Sequence, residues 1–295
     1  MDIFKPNLSS FKKKYRLNKP QILYTALSAD LYTPVSTLIK FQTEKYVFLF
    51  ESVEKGNHRG RYSVIGIRPD LIWECKNNES SRSIVAKNKT VRKIKDKHSP
   101  IQSLKKLFKK NKFKIPDNLP PMSSGLFGYL GYEMISHFEN IKFRNKDILN
   151  LPDSIFIRPS LMLIFDNIKD NLFIIKTIWP DEALSAEKSF ESSFKEINAI
   201  LTKLKKNTKY KSFKKSKKIL DKRIIDKNVY SNMDFKNFKT NVEKAKEYIF
   251  SGDIFQVVLS RYFRKKIKTS PVSVYRALRY LNPSPYLFYI KFDKF

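Results

Sequence analysis

The sequence is organised around residues 48–66, FLFESVEKGNHRGRYSVIG, where an apolar strand runs directly into a polar loop. Three of the chain's 7 glycines lie in this stretch. Glycine allows positive φ and close backbone approach, so their clustering predicts an unusual backbone beside the strand. Glu51 and Ser52 end the strand with a carboxylate and a hydroxyl, which either bind a polar ligand or cap a turn.

Length and charge indicate a globular protein of about two domains. The chain has 295 residues, of which 41% are hydrophobic, enough for roughly two cores. A net charge of +31 raises the possibility of a nucleic-acid partner. Lysine supplies most of this charge and is spread along the whole chain, whereas recognition of phosphates and bases favours the planar fork of arginine. We therefore expect a solvated lysine surface and no nucleic-acid partner.

Cysteine, histidine and apolar runs point to a cytoplasmic protein without metal-binding motifs. Cys75 is the single cysteine, which excludes an intramolecular disulfide. The N-terminus has no apolar leader, and no run approaches the roughly 18 apolar residues of a membrane span. The 3 histidines lie far apart and lack the spacing of metal ligands. The sequence thus predicts no membrane span and no imidazole metal site.

Hydrophobic periodicity predicts runs of strands and separate helices, without regular alternation of the two. Strands are predicted at 62–67, 71–75, 161–166, 171–179, 253–263 and 285–292, and amphipathic helices at 186–204, 235–249 and 272–280. The first two strands, separated by Arg68-Pro69-Asp70, predict a meander. This pattern favours the α+β class, with antiparallel β-sheets flanked by helices.

The distribution of lysine predicts the domain organisation. Residues 205–229 are dense in lysine and almost free of apolar periodicity, which is typical of a solvated linker. They would separate a first domain, residues 1–204, from the incomplete start of a second, residues 230–295. The sequence stops at Phe295 inside a predicted strand, from which we expect a truncated chain.

Four stretches together resemble anthranilate synthase component I, the chorismate-utilising subunit of tryptophan synthesis. They are residues 48–66, 125–133 (GLFGYLGYE), 248–263 (YIFSGDIFQVVLSRYF) and 282–292 (NPSPYLFYIKF). The resemblance implies the N-terminal domain of that family and the beginning of its chorismate-binding domain. It also implies a reaction in which chorismate and ammonia give anthranilate and pyruvate. The ammonia would come from glutamine through a glutamine amidotransferase subunit, anthranilate synthase component II.

The resemblance assigns no catalytic residue to this chain. In the family, Mg2+ holds the chorismate carboxylate, and the carboxylates that bind substrate and metal correspond to positions beyond Phe295. We therefore expect no catalytic residue and no metal ligand among residues 1–295, and no anthranilate from this chain alone.

The resemblance does imply an effector site for tryptophan, the feedback inhibitor of the family. The family's L-L-E-S strand end matches residues 49–52, which carries the effector role onto Ser52. Its N-P-S-P-Y-M segment matches residues 282–287, which carries the role onto Pro285, Tyr286 and Leu287. An amino acid needs an acceptor, a donor and an apolar wall, and Glu51 offers a charge for its ammonium group.

Two departures and two alternatives remain. Phe50 replaces the usual leucine and Leu287 the usual methionine, and both keep apolar volume. A tryptophan-binding regulatory module without catalysis would share these motifs. Aminodeoxychorismate synthase component I shares the general plan but usually departs from the GDIFQVVLS motif of residues 252–260.

Overall fold

The computed structural model describes residues 4–53, 59–86, 89–143, 147–207, 229–293 and 295. It divides into two compact units, one of Met1–Lys209 with Val272–Phe295 and one of Tyr210–Pro271. The sequence predicts two domains, residues 1–204 and 230–295. A domain is a unit of independent folding, and contacts within one structure do not test independent folding, so these domains stay a prediction. Most of the predicted linker, residues 205–229, lies outside the described residues.

The described residues form eleven strands, nine of which build one antiparallel sheet in the first unit. The strands are β1 (Gln21–Ser28), β2 (Tyr46–Val53), β3 (Arg59–Lys76), β4 (Glu79–Ala86), β5 (Lys89–Lys95), β6 (Phe127–Leu130), β7 (Ser154–Asp166), β8 (Asn171–Ile178), β9 (Tyr230–Ser231), β10 (Phe263–Arg264) and β11 (Leu287–Phe292). The main path of the sheet runs β1-β8-β7-β3-β2-β11, β4 joins β3 to β5, and β6 pairs with β7. The predicted α+β class with an antiparallel sheet is confirmed.

Six α-helices begin at residues that favour helix starts. They are α1 (Leu8–Arg16), α2 (Pro34–Phe41), α3 (Pro100–Asn111), α4 (Ala186–Lys205), α5 (Phe235–Phe250) and α6 (Pro271–Leu281), with a short 3-10 helix at Tyr132–His137. The Thr33 side chain accepts a hydrogen bond from the backbone N–H of Ser36 before α2, and Ser185 caps α4 in the same way. Proline stands at the first turn of α2 and α3, where its missing N–H costs nothing.

Side chains on the two faces of the sheet enter different packing layers. On one face α4 contacts both α1 and α2, α1 and α4 contact β1, α4 also contacts β8, and α2 contacts β2 and β3. On the other face Phe48, Ile157 and Met162 belong to one hydrophobic core, against which Phe113 and Phe127 pack. A smaller cluster joins Trp73 and Cys75 of β3 to α3. Strand alternation explains the division, because successive residues point to opposite faces.

The predicted meander of residues 62–75 is instead one continuous strand, β3. Both halves pair with β7, and a register shift between Pro69 and Leu71 absorbs the interruption. Arg68 adopts a φ of 51° at this point. A bulge of this kind bends a strand without ending it, so proline and aspartate here mark a bulge where the sequence predicted a turn.

The second unit contains less strand than the sequence predicts. The helix α5 confirms the predicted helix at 235–249, and Gly252 follows it with a φ of 81°. The strand predicted at 253–263 is wrong except at its end, where Phe263 pairs with Ser231. A strand needs a paired neighbour, and the described residues of this unit offer only the two residues of β9.

Candidate functional site

Ser52 lies at the end of β2, where β3 approaches it closely. A Cβ placed on Gly60 would lie 2.0 Å from the Ser52 Oγ and 2.8 Å from its backbone oxygen. Real Cβ atoms do not approach other atoms this closely, so Gly60 has to be glycine for Ser52 to occupy this position. Ser52 is half-buried and belongs to β2, whereas residues 54–58, where a turn would follow, lie outside the described residues.

Strand β11 brings the other three predicted effector residues to the same edge of the sheet. Leu287 begins β11 and pairs with Glu51, the neighbour of Ser52. Pro285 and Tyr286 precede the strand, and Tyr286 is 86% exposed. Residues 52 and 285–287, which are more than 230 positions apart in sequence, therefore lie at neighbouring places in the fold.

Alternation separates Leu287 from Ser52. Paired residues of antiparallel strands point to the same face, so Leu287 shares the face of Glu51 and is buried there. Ser52, one residue further along β2, points to the opposite face. A ligand that contacts the Ser52 hydroxyl thus meets side chains of the face that Phe50 and Phe288 share, on which Phe288 is 66% exposed.

An aromatic cluster lies on the face of Ser52. The ring of Phe48 lies 4.8 Å from that of Phe50 and 4.9 Å from that of Phe127 in β6, centre to centre. Sequence reasoning did not identify Phe127, although the glycines around it gave the signal. A Cβ on Gly128 would lie 1.8 Å from the carbonyl oxygen of Ile155, so glycine at this position allows β6 to pack closely against β7.

The face of Glu51 carries a buried ionic cluster with α6. The Tyr275 hydroxyl donates a hydrogen bond to Glu51 Oε2, and the Arg279 guanidinium donates through Nε to Oε2 at 3.1 Å and through Nη2 to Oε1 at 3.3 Å. The Glu51 side chain is 1% exposed. Sequence reasoning missed Tyr275 and Arg279, although their spacing of four puts them on one face of a helix.

The described part of the chain offers neither a reactive cysteine nor a metal centre beside these residues. Burial, with help from Asp153 and Glu74, raises the pKa of Cys75 to about 12, so this thiol stays protonated and unreactive. Among the described residues, no group of three histidine, cysteine, aspartate or glutamate side chains is placed to hold a metal ion. The described residues therefore do not fit Mg2+.

Comparison with known proteins identifies the family to which the chain belongs. The family model of chorismate binding enzymes matches residues 68–295. The chain belongs to this family. Two similar relatives are the anthranilate synthase component 1 proteins of Cereibacter sphaeroides, 35% identical over 98% of this chain and 57% of the relative, and of Acetivibrio thermocellus, 35% identical over 90% and 52%. The chain therefore spans about half the length of the curated relatives it matches.

A solved structure supports the fold. The crystal structure of anthranilate synthase component I from Streptococcus pneumoniae superposes with a TM-score of 0.58 at 23% identity. The superposition covers 88% of this chain and 53% of that structure. In the described part of the chain, no helix combines the length and the apolar character that crossing a membrane requires.

Proposed function

We propose that the chain supplies the N-terminal part of an anthranilate synthase component I, which converts chorismate and ammonia to anthranilate and pyruvate. The observation that carries this proposal is the match of the chorismate binding enzyme model to residues 68–295. The names of the similar relatives and the order of the four motifs support the same reaction. A glutamine amidotransferase subunit would deliver the ammonia.

The remaining requirements of the reaction fall on residues outside those described. Mg2+ is proposed for the whole synthase, with ligands beyond Phe295. A cytoplasmic location agrees with the single cysteine, Cys75, which is a free and buried thiol. These proposals concern the synthase as a whole, whereas residues 1–295 would contribute regulation and part of the fold.

The regulatory part of the proposal is an effector site for tryptophan at the edge formed by β2 and β11. Ser52 offers a hydroxyl, and Tyr286 and Phe288 offer exposed aromatic surface close to it in the fold. Phe50 lies next to them on the same face. An indole ring gains from stacking on such surface, while the hydroxyl fixes its orientation.

A fusion protein tests the activity. Residues 1–295 are joined to the part of the Cereibacter sphaeroides protein that lies beyond its match, and anthranilate formation from chorismate, ammonium and Mg2+ is followed by fluorescence. We expect anthranilate, because the N-terminal part would complete the fold of the relative. A soluble, folded fusion protein that binds chorismate but forms no anthranilate, or forms 4-amino-4-deoxychorismate, would contradict the proposal.

A further inference from the structure

We propose that Arg279 and Tyr275 are positioning residues of the effector site, which hold residues 282–287 beside Ser52 by binding the buried carboxylate of Glu51. The inference rests on the proposed function, because it specifies how the same site is built. It also assigns Glu51 a different role from the one that the sequence indicates. Glu51 is an internal anchor and does not bind the ammonium group of the effector.

The carboxylate of Glu51 accepts three hydrogen bonds from side chains of α6. Oε2 accepts hydrogen bonds from the Tyr275 hydroxyl and from Arg279 Nε, and Oε1 accepts one from Arg279 Nη2. A buried carboxylate is stable only when a positive charge and hydrogen bonds compensate its lost hydration. Binding an ammonium group instead would require Glu51 to give up these partners and would leave the Arg279 guanidinium, whose side chain is 39% exposed, without its carboxylate.

The same glutamate fixes the effector segment at both of its ends. On the N-terminal side, its side chain holds α6 through Arg279. On the C-terminal side, its backbone pairs with Leu287 in the β2–β11 ladder. Only a few residues separate these two attachments, and residues 282–286 lie between them. Pro283 and Pro285 restrict φ inside that short segment, so the two attachments leave it little freedom.

Tyr275 supports the anchor from inside α6. Burial, together with the neighbouring charge of Glu51, raises the pKa of Tyr275 above its ordinary value. The phenol therefore keeps its proton at neutral pH and remains a donor to Glu51. Its ring also packs against Tyr289 of β11 at 5.9 Å between centres, which ties the helix to the strand a second time.

The consequence for binding is preorganisation. A segment that is already held in its bound position loses less conformational entropy when a ligand binds, so affinity rises without any new contact. When Arg279 is removed, residues 282–287 sample other positions, and the fraction of molecules competent to bind tryptophan falls. The anchor thus acts on affinity although neither Tyr275 nor Arg279 needs to touch the ligand.

Calorimetric titration of the 295-residue chain with L-tryptophan tests this inference. We expect Arg279→Met to weaken binding by about tenfold or more, and Arg279→Lys, which keeps the charge but not the fork, to retain part of the affinity. Arg92→Gln is the matched control. Arg92 is exposed on β5, which β3 and β4 separate from β2, so this variant should bind like the parent.

A double variant separates positioning from stability. Glu51→Gln/Arg279→Met removes both charges and leaves an amide oxygen to accept the Tyr275 hydroxyl, so its melting temperature should recover relative to Arg279→Met. We expect its tryptophan affinity to stay low, because the fork that holds α6 is still missing. Parent-like binding by the folded double variant, or by Arg279→Met, would overturn the inference while the effector site stands. Absence of tryptophan binding by the parent would overturn the effector site and the inference together.

Discussion

At Gly60 the backbone of β3 comes so close to β2 that the identity of one residue determines where Ser52 can lie. The nearest atoms to a hypothetical Cβ belong to both the side chain and the backbone of Ser52. The Ser52 hydroxyl could rotate away, but the Ser52 Cβ and backbone oxygen are held in place by the strand. Regulation by the Ser52 hydroxyl would thus depend on a residue that contacts no ligand.

We therefore expect Gly60→Ala to lower the free energy of unfolding by about 1–3 kcal/mol, as overpacking does, and to weaken tryptophan binding. Urea unfolding and calorimetry measure the two effects. Gly252→Ala is the control, because a Cβ there meets nothing within 4 Å although φ is 81°. It should cost about 1 kcal/mol of backbone strain and leave tryptophan binding unchanged. Equal tryptophan affinity in both variants would contradict this account of Ser52.

A second prediction at this scale concerns Asp166, at the end of β7. Burial alone would raise its pKa, but the Arg61 guanidinium and the backbone N–H groups of Ile168 and Lys169 outweigh burial and hold the pKa below the ordinary value of 3.8. A group whose pKa is lower in the folded state stabilises the fold above its unfolded pKa, and this contribution is lost as pH falls through the folded pKa.

The stability difference between the parent and Asp166→Asn should therefore be largest above about pH 5 and shrink steadily below about pH 4. Urea unfolding of both proteins between pH 2 and pH 7 measures this difference in the free energy of unfolding. The difference should be on the order of 1 kcal/mol for each unit by which the fold lowers the pKa of Asp166. A difference that does not change with pH would show that the ion pair with Arg61 does not lower the pKa of Asp166 in solution.

At the scale of elements, α6 and β11 form one attachment to β2, and β11 covers its outer edge. The residues of β2 behind that edge are strongly apolar, and Val47, Phe48 and Leu49 are fully buried. An uncovered apolar edge strand is a template for pairing with another chain. A chain that ends at residue 270 should therefore self-associate, whereas residues 1–295 should be less prone to do so.

Sedimentation velocity at a series of concentrations compares the two chains. A single Lys45→Gln substitution in the 295-residue chain serves as the control, because it removes the exposed ion pair with Asp293 at 3.1 Å and the contact of the Lys45 ammonium with the Tyr46 ring, and leaves β11 in place. If the chain that ends at residue 270 sediments as a monomer at concentrations where its circular dichroism shows a folded sheet, β11 is not needed to protect β2.

The sequence predicts a helix or strand correctly when the residues within that segment determine its structure. The helices α4 and α5 follow from periodicity and capping residues within each segment, and the hairpin of β7 and β8 follows from the turn at residues 167–170. The continuity of β3 depends on its pairing with β7, and the strand predicted at 253–263 lacks a partner. Neither fact is encoded in the segment itself.

The candidate site shows the same limit. The resemblance placed Ser52 and residues 285–287 in one site, and the structure brings them to the same edge. The resemblance did not indicate that the carboxylate of Glu51 accepts hydrogen bonds from Tyr275 and Arg279, because these residues lie 224 and 228 positions away in the sequence. A contact over that distance follows from the fold, and periodicity within α6 shows only that the two side chains share a face.

For the whole molecule, we propose that the edge formed by β2 and β11 regulates a reaction that would take place elsewhere in the synthase. Ser52 is proposed to bind the effector without taking part in chemistry, so inhibition and turnover should respond separately to its substitution. Such coupling between sites is typically worth about 1–3 kcal/mol. Loss of one hydrogen bond in Ser52→Ala should weaken tryptophan binding by about tenfold at most.

The most direct test is tryptophan inhibition of anthranilate formation by the fusion protein described above, with Ser52 and with Ser52→Phe. We predict that the parent fusion protein is inhibited, and that Ser52→Phe fills the effector site and abolishes inhibition while the uninhibited rate stays within about twofold, because Ser52 is proposed to take no part in the chemistry. Equal inhibition of both proteins by tryptophan would contradict the account and would show that the effector site does not include Ser52.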